Sequence, residues 1–262
     1  MGLRSLIGCC SVKLRALRRA VALASVIIIC ICDYWRLRSR GPLSLERRAQ
    51  WLHASARKLL SSLGIQTRIH GHPPSRGLIV SNHLSYLDIL ILAAATPCFF
   101  VSKVEISRWP IFGKAARVSG TIFLVRTSRA SAESVAAEIE QRLALPVPVL
   151  LFPEGTSTDG SMVLRFHSRL IQPAVTAAAP VTAAAVRYVI QGGIQERELC
   201  WFGDTLFLSH LWKALNTAGF AAELRFGAPR VYLDRRVATR EAHAEVVAMR
   251  VEGAPLPRQI AM

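Results

Sequence analysis

From about Thr67 onward the chain alternates short apolar runs with segments of helix length, and this alternation limits the possible folds more than any other feature of the sequence. Leu78-Ile79-Val80-Ser81 reads as a buried strand, and so do Cys98–Val101, Thr121–Val125, Val147–Phe152, Val181–Val189 and Ala222–Phe226. Helices fit Asp88–Ala95, Ala130–Leu143 and Leu206–Ala218. Alternation of this kind predicts an α/β fold with a mixed, largely parallel sheet flanked by helices.

The N-terminus has a different texture. Residues 20–32, AVALASVIIICIC, form a 13-residue apolar run with Arg15, Arg18 and Arg19 before it and Asp33, Arg36, Arg38 and Arg40 after it. Thirteen helical residues span about 20 Å, short of a hydrocarbon core of roughly 30 Å. Positive charge on both sides favours neither orientation. No small-residue cleavage site follows, because the run leads straight into Asp33-Tyr34-Trp35-Arg36. The segment is expected to lie in the interface or insert partway, with Tyr34-Trp35 at headgroup level; a short, tilted span is the other reading. Gly41-Pro42 breaks this helix, and a second is expected over Ser44–Ser62, closed by Gly64. Its Leu45, Ala49, Leu52, Ala56 and Leu59 share one helical stripe. Residues 1–64 are thus expected as a membrane-associating two-helix segment ahead of a domain over 65–262.

Charge and hydropathy narrow the function classes. The net charge is +16, yet 52% of residues are hydrophobic and the mean hydropathy is +0.32. Disorder needs low hydrophobicity, and a polytopic membrane protein needs several apolar runs of about 18 residues; neither fits. The five tryptophans are scattered and lie mostly inside apolar runs, which argues against a nucleic-acid binder. What remains is a globular core with basic surfaces beside something anionic. The six cysteines show no paired metal spacing and read as small hydrophobes in a reducing compartment. No metal site and no cofactor are expected.

Two segments carry the chemistry. Ser81-Asn82-His83-Leu84-Ser85-Tyr86-Leu87-Asp88 follows a strand directly. If His83 sits on the loop and Ser85 caps a helix, Asp88 lies in the first turn and its carboxylate can reach back to the imidazole. His83 would then take a proton while Asp88 fixes its tautomer. Ser85-x-x-Asp88 is equally a capping-box pattern, so the segment alone leaves both readings open. The second segment, Phe152-Pro153-Glu154-Gly155-Thr156-Ser157, is a strand running into a turn, the place where α/β folds bind ligands. Gly155 permits close backbone approach, and Thr156 and Ser157 offer hydroxyls; a plain charged loop is the alternative.

Taken together, Asn-His-x-x-x-x-Asp followed by Phe-Pro-Glu-Gly-Thr resembles the glycerolipid acyltransferase family, whose best-known members are 1-acyl-sn-glycerol-3-phosphate acyltransferases. Gly120–Arg126 looks like the family's second block, a strand ending in a substrate-binding arginine, and Ala179–Val186 looks like the fourth. The resemblance covers about residues 65–230 and implies a catalytic pair His83 and Asp88. It also implies substrate-binding roles for Asn82, Arg126, Glu154, Gly155 and Thr156, and direct acyl transfer from acyl-CoA or acyl-carrier protein to the hydroxyl of 1-acyl-sn-glycerol-3-phosphate. The expected partners are a membrane lysolipid, the acyl donor and an anionic membrane surface. The expected place is the cytoplasmic side of the inner membrane, monotopic or single-pass. One position departs from the pattern: the family's third block often continues with Arg, and here it is Ser157. Arg126, Arg129 or Arg165 could substitute. A different lysolipid, such as lyso-ornithine lipid, is therefore the alternative acceptor.

Overall fold

The computed structural model describes residues 3–125, 129–190, 194–217 and 219–252. Seven strands form one sheet: β1 (Ile65–His70), β2 (Leu78–Ser81), β3 (Phe99–Lys103), β4 (Ile122–Leu124), β5 (Val149–Leu151), β6 (Val181–Val189) and β7 (Phe220–Phe226). Their order is β1-β7-β6-β2-β5-β3-β4, and every neighbouring pair is parallel except β6 and β7. The mixed, largely parallel sheet read from the sequence is therefore the observed one.

Helices cover both faces, and the pleat assigns residues to each. Ile79, Leu150, Ala184 and Val186 point into a core built with Leu60 and Leu63 of α2 (Leu45–Leu63), Ile91 and Leu92 of α3 (Leu87–Ala95), and Leu215 of α7 (Phe207–Asn216). Leu78, Val80, Val149 and Ala185 point the other way, onto Val135 and Ile139 of α5 (Arg129–Leu143), Ala174 of α6 (Gln172–Thr176), and Ala238, Ala242 and Val246 of α8 (Arg235–Glu252). A further helix, α4 (Phe112–Ser119), precedes β4. Gly77 introduces the central strand with φ of 89°, and a Cβ there would stand 2.3 Å from the Pro180 carbonyl oxygen of β6's lead-in. Only glycine lets the two chains approach so closely.

The N-terminal run belongs to a longer helix than its apolar residues suggest. α1 (Leu3–Arg38) is one continuous helix of 36 residues. Leu14–Arg38, 25 residues, contains a window of mean hydropathy 1.9 of which 6% is buried, and among the described residues it is the one helix long and apolar enough to cross a membrane. The 13-residue estimate fell short because the flanking Leu and Arg residues are strong helix formers and extend the helix past the apolar run. α2 begins after N-cap Ser44 and ends at Gly64, which is left-handed at φ of 69°. The helices touch through Trp51, whose indole donates to the Cys30 carbonyl at 3.0 Å, and through Lys58 and Asp33 at 2.5 Å.

Candidate active site

Three adjacent parallel strands, β6-β2-β5, end at the same edge of the sheet, and the two motif loops leave from there. His83 follows β2 and Glu154 follows β5. His83 Nδ1 lies 2.9 Å from Asp88 Oδ2, in the first turn of α3. The same oxygen accepts the backbone N–H groups of Leu84 at 2.6 Å and Ser85 at 3.0 Å. The Ser85 hydroxyl accepts the Leu87 N–H at 3.4 Å. The carboxylate that faces the imidazole also ties down the loop before α3, while the helix itself starts after Tyr86 and takes no side-chain cap. With a carboxylate as its acceptor, Nδ1 carries the proton and Nε2 keeps its lone pair. The ring is stacked on Phe152 at 4.0 Å between centroids and 14° between planes. Its side chain keeps 18% exposure, whereas Asp88 has none.

Glu154 sits in the opposite loop and is 4% exposed. One carboxylate oxygen accepts the His83 backbone N–H and the other the Leu164 N–H, each at 2.8 Å. Burial pushes its carboxyl up to about 7, against the pull of the Leu164 and His83 amides. The loops are joined again where Thr158 N–H donates to the His83 carbonyl at 2.9 Å. Trp201 N–H reaches the Leu84 carbonyl at 2.8 Å, and the Ser157 hydroxyl donates to the Trp201 carbonyl.

The structure brings His83, Asp88, Asn82 and Glu154 together, yet gives the last two different work from that expected. The Asn82 amide spans the backbone of Val186, donating to its carbonyl at 3.1 Å and accepting its N–H at 2.8 Å. Asn82 and Glu154, expected at the substrate, are internal braces: their buried polar atoms are satisfied by backbone groups. Gly155 is half-buried at φ of 72° and Thr156 is exposed on the same turn. Arg126 lies outside the described residues, and Arg165 is exposed. Trp212 is 48% exposed on α7. Sequence reasoning missed Tyr188 on β6, whose hydroxyl donates to Asp88 Oδ1. Its only trace was a lone tyrosine in a run of Ala and Val.

A histidine–aspartate pair at the end of a central parallel strand, braced by a Pro-Glu-Gly-Thr turn, matches known proteins. The sequence model of the family described as Acyltransferase matches residues 66–187. A lyso-ornithine lipid O-acyltransferase of Pseudomonas aeruginosa is 31% identical over 94% of this chain and 97% of its own length. The chain belongs to the acyltransferase family. A 1-acyl-sn-glycerol-3-phosphate acyltransferase of Neisseria meningitidis is 36% identical over 56% of this chain and 59% of its own. The crystal structure of the 1-acyl-sn-glycerophosphate acyltransferase PlsC from Thermotoga maritima superposes with a TM-score of 0.69 at 18% identity, covering 94% of this chain and 98% of that one. The fold is thus the PlsC fold, and the protein is an O-acyltransferase of lipid biosynthesis.

Proposed function

We propose that this acyltransferase acylates the hydroxyl of a lyso-ornithine lipid at the membrane surface, using a soluble acyl thioester. The observation that carries the acceptor is the end-to-end similarity to the P. aeruginosa relative. A second observation agrees: the position after the Glu-Gly-Thr turn is Ser157, whose hydroxyl is engaged by the Trp201 carbonyl, so no arginine stands there for a phosphate. The second reading is 1-acyl-sn-glycerol-3-phosphate as acceptor, favoured by the identity to the Neisseria protein. In either case His83 Nε2 takes the acceptor hydroxyl's proton as its oxygen attacks the thioester carbonyl. The new C–O bond forms, the C–S bond breaks, and the proton passes from His83 to the departing thiolate. Asp88 stabilises the imidazolium in between. No acyl-enzyme is required.

Membrane association fits a monotopic arrangement. The Arg19 guanidinium bonds the Thr217 carbonyl next to α7, and Cys30 and Asp33 of the same helix bond α2, which is packed on α3. α1 is thus held along the domain at both ends of its apolar stretch, which supports a helix lying in one leaflet with Trp35 and Ile28 outward. The test is purified protein incubated with lyso-ornithine lipid, lysophosphatidic acid and other lysolipids, each with acyl-CoA and with acyl-carrier protein, and mass spectrometry of the lipids. Product from lysophosphatidic acid but not from lyso-ornithine lipid would exchange the two readings. Product from none would refute both.

A further inference from the structure

The group that completes the histidine–aspartate pair lies in neither motif. Asp88 Oδ2 serves His83 and two backbone N–H groups of the same loop. Oδ1 takes the hydroxyl of Tyr188, a residue 100 positions away and 2% exposed. Burial, reinforced by the charge of Asp88, pushes that phenol well above its ordinary value, so it remains a donor at any working pH.

Tyr188 is itself held. Its backbone N–H donates to Glu196 Oε1 at 2.7 Å. Glu196 receives a two-pronged fork from Arg250 in the last turn of α8, Nη1 to Oε1 at 2.8 Å and Nη2 to Oε2 at 2.9 Å. The same guanidinium donates to the Val186 carbonyl on β6 at 3.0 Å and to the Gly160 carbonyl at 2.6 Å. One planar cation therefore ties the end of β6 to the loop that follows Glu154, a geometry that a lysine cannot reproduce.

We propose that Tyr188 is a positioning residue for the acyl transfer, locking the Asp88 carboxylate so that Oδ2 faces His83, and that the Arg250–Glu196 fork keeps Tyr188 in place. The carboxyl torsion of an aspartate is soft. A donor on the far oxygen, opposite the three on the near one, removes that freedom. This deepens the His83–Asp88 reading and rests on it.

The test compares Tyr188→Phe, Arg250→Met and Arg250→Lys with wild type and His83→Ala in full-length protein. Phe keeps the ring contact with Phe220, 4.9 Å between centroids, so the fold survives. Tyr188→Phe lowers kcat about 10- to 100-fold, the rate equivalent of one hydrogen bond to a charged group, with KM for the acyl donor unchanged. It also displaces the acid limb of kcat/KM, because the carboxylate that stabilises the imidazolium is no longer fixed on His83. The other titratable or charged groups near the pair are Glu154, Glu196, Cys200 and Arg250. All are present in both proteins, so the shift is read as a difference. Arg250→Met shows the same displaced limb, and Arg250→Lys recovers part of the rate. A merely structural role would lower thermal stability and leave the limb in place, which overturns the proposal. If His83→Ala turns over normally, the dyad reading fails and takes this proposal with it. If His83→Ala is dead while Tyr188→Phe keeps wild-type kcat and pH profile, only the positioning role falls.

Discussion

Replacing Glu154 by Gln separates what this residue does for stability from what it does for turnover. The folded carboxyl titrates at about 7 against a reference of 4.5. Between those two pH values the folded chain holds a proton that the unfolded chain has released, so stability falls as pH rises through that window and levels off above it. The displacement corresponds to roughly 3 kcal/mol lost by pH 8 relative to pH 4.5. Gln has the same length and never ionises. Like the protonated acid, it can accept one of the two N–H groups of His83 and Leu164. The variant should therefore match wild type in stability near pH 5 and exceed it by about 3 kcal/mol near pH 8. Turnover should move in the opposite direction. One of the two amides loses its acceptor, and where that amide is His83's own the imidazole is no longer held on Asp88, so kcat should fall at least about tenfold at pH 8. Urea unfolding of both proteins in detergent at a series of pH values measures the first quantity, and acyl transfer measures the second. A stability difference that stays constant across pH would refute the assignment of a buried, protonating carboxyl to Glu154.

Three further outcomes follow from particular atoms. His83→Ala should lose about 10²- to 10⁴-fold in kcat while keeping its melting temperature, as read by acyl transfer and circular dichroism. Gly77→Ala should be destabilised by at least about 2 kcal/mol in chemical unfolding, because a Cβ at positive φ meets the Pro180 carbonyl and pushes β6 off β2. Membrane fractions should retain the protein through a molar-salt wash, where the Debye length is only about 3 Å, and replacing the exposed Ile28 and Ile29 of α1 with Lys should release it into the wash.

How far the sequence discloses this molecule depends on how local each signal is. β6 is legible from end to end, because nine residues poor in polar groups follow Pro180 and precede a Gln-Gly-Gly sequence. The pairing of His83 with Asp88 was legible because five residues of loop and helix start contain all of it. α8 is not legible: its buried stripe is Ala238, Ala242 and Val246, too small to stand out among the arginines around it. α4 is preceded by Ile111, whose φ of 62° is unusual for a β-branched residue and is announced by nothing in the sequence. β1 was invisible for another reason, since it lies at the sheet edge with five of its six residues exposed. The partners of Glu154, Asn82 and Tyr188 are set by which strands lie side by side. A linear reading assigns Asn82 and Glu154 to substrate and passes over Tyr188, whereas the sheet order turns all three inward.

The same sheet order explains why so few residues suffice for the site. The loop leading into α3 leaves the buried amides of Leu84 and Ser85 in need of an acceptor, and Asp88 supplies it. That requirement alone places a buried carboxylate 2.9 Å from a loop imidazole. Joining β2 to β6 requires partners for the Val186 backbone beyond the last strand pair, and Asn82 supplies them. The loop after β5 must pin the His83 backbone, and Glu154 does so. Each brace serves the fold first, and the chemistry then needs only one exposed nitrogen, Nε2 of His83. A substitution that conserves charge but changes reach, such as Asp88→Glu, should therefore damage the loop and the dyad together. The methylene added to a fully buried side chain has no room among four donors already in contact.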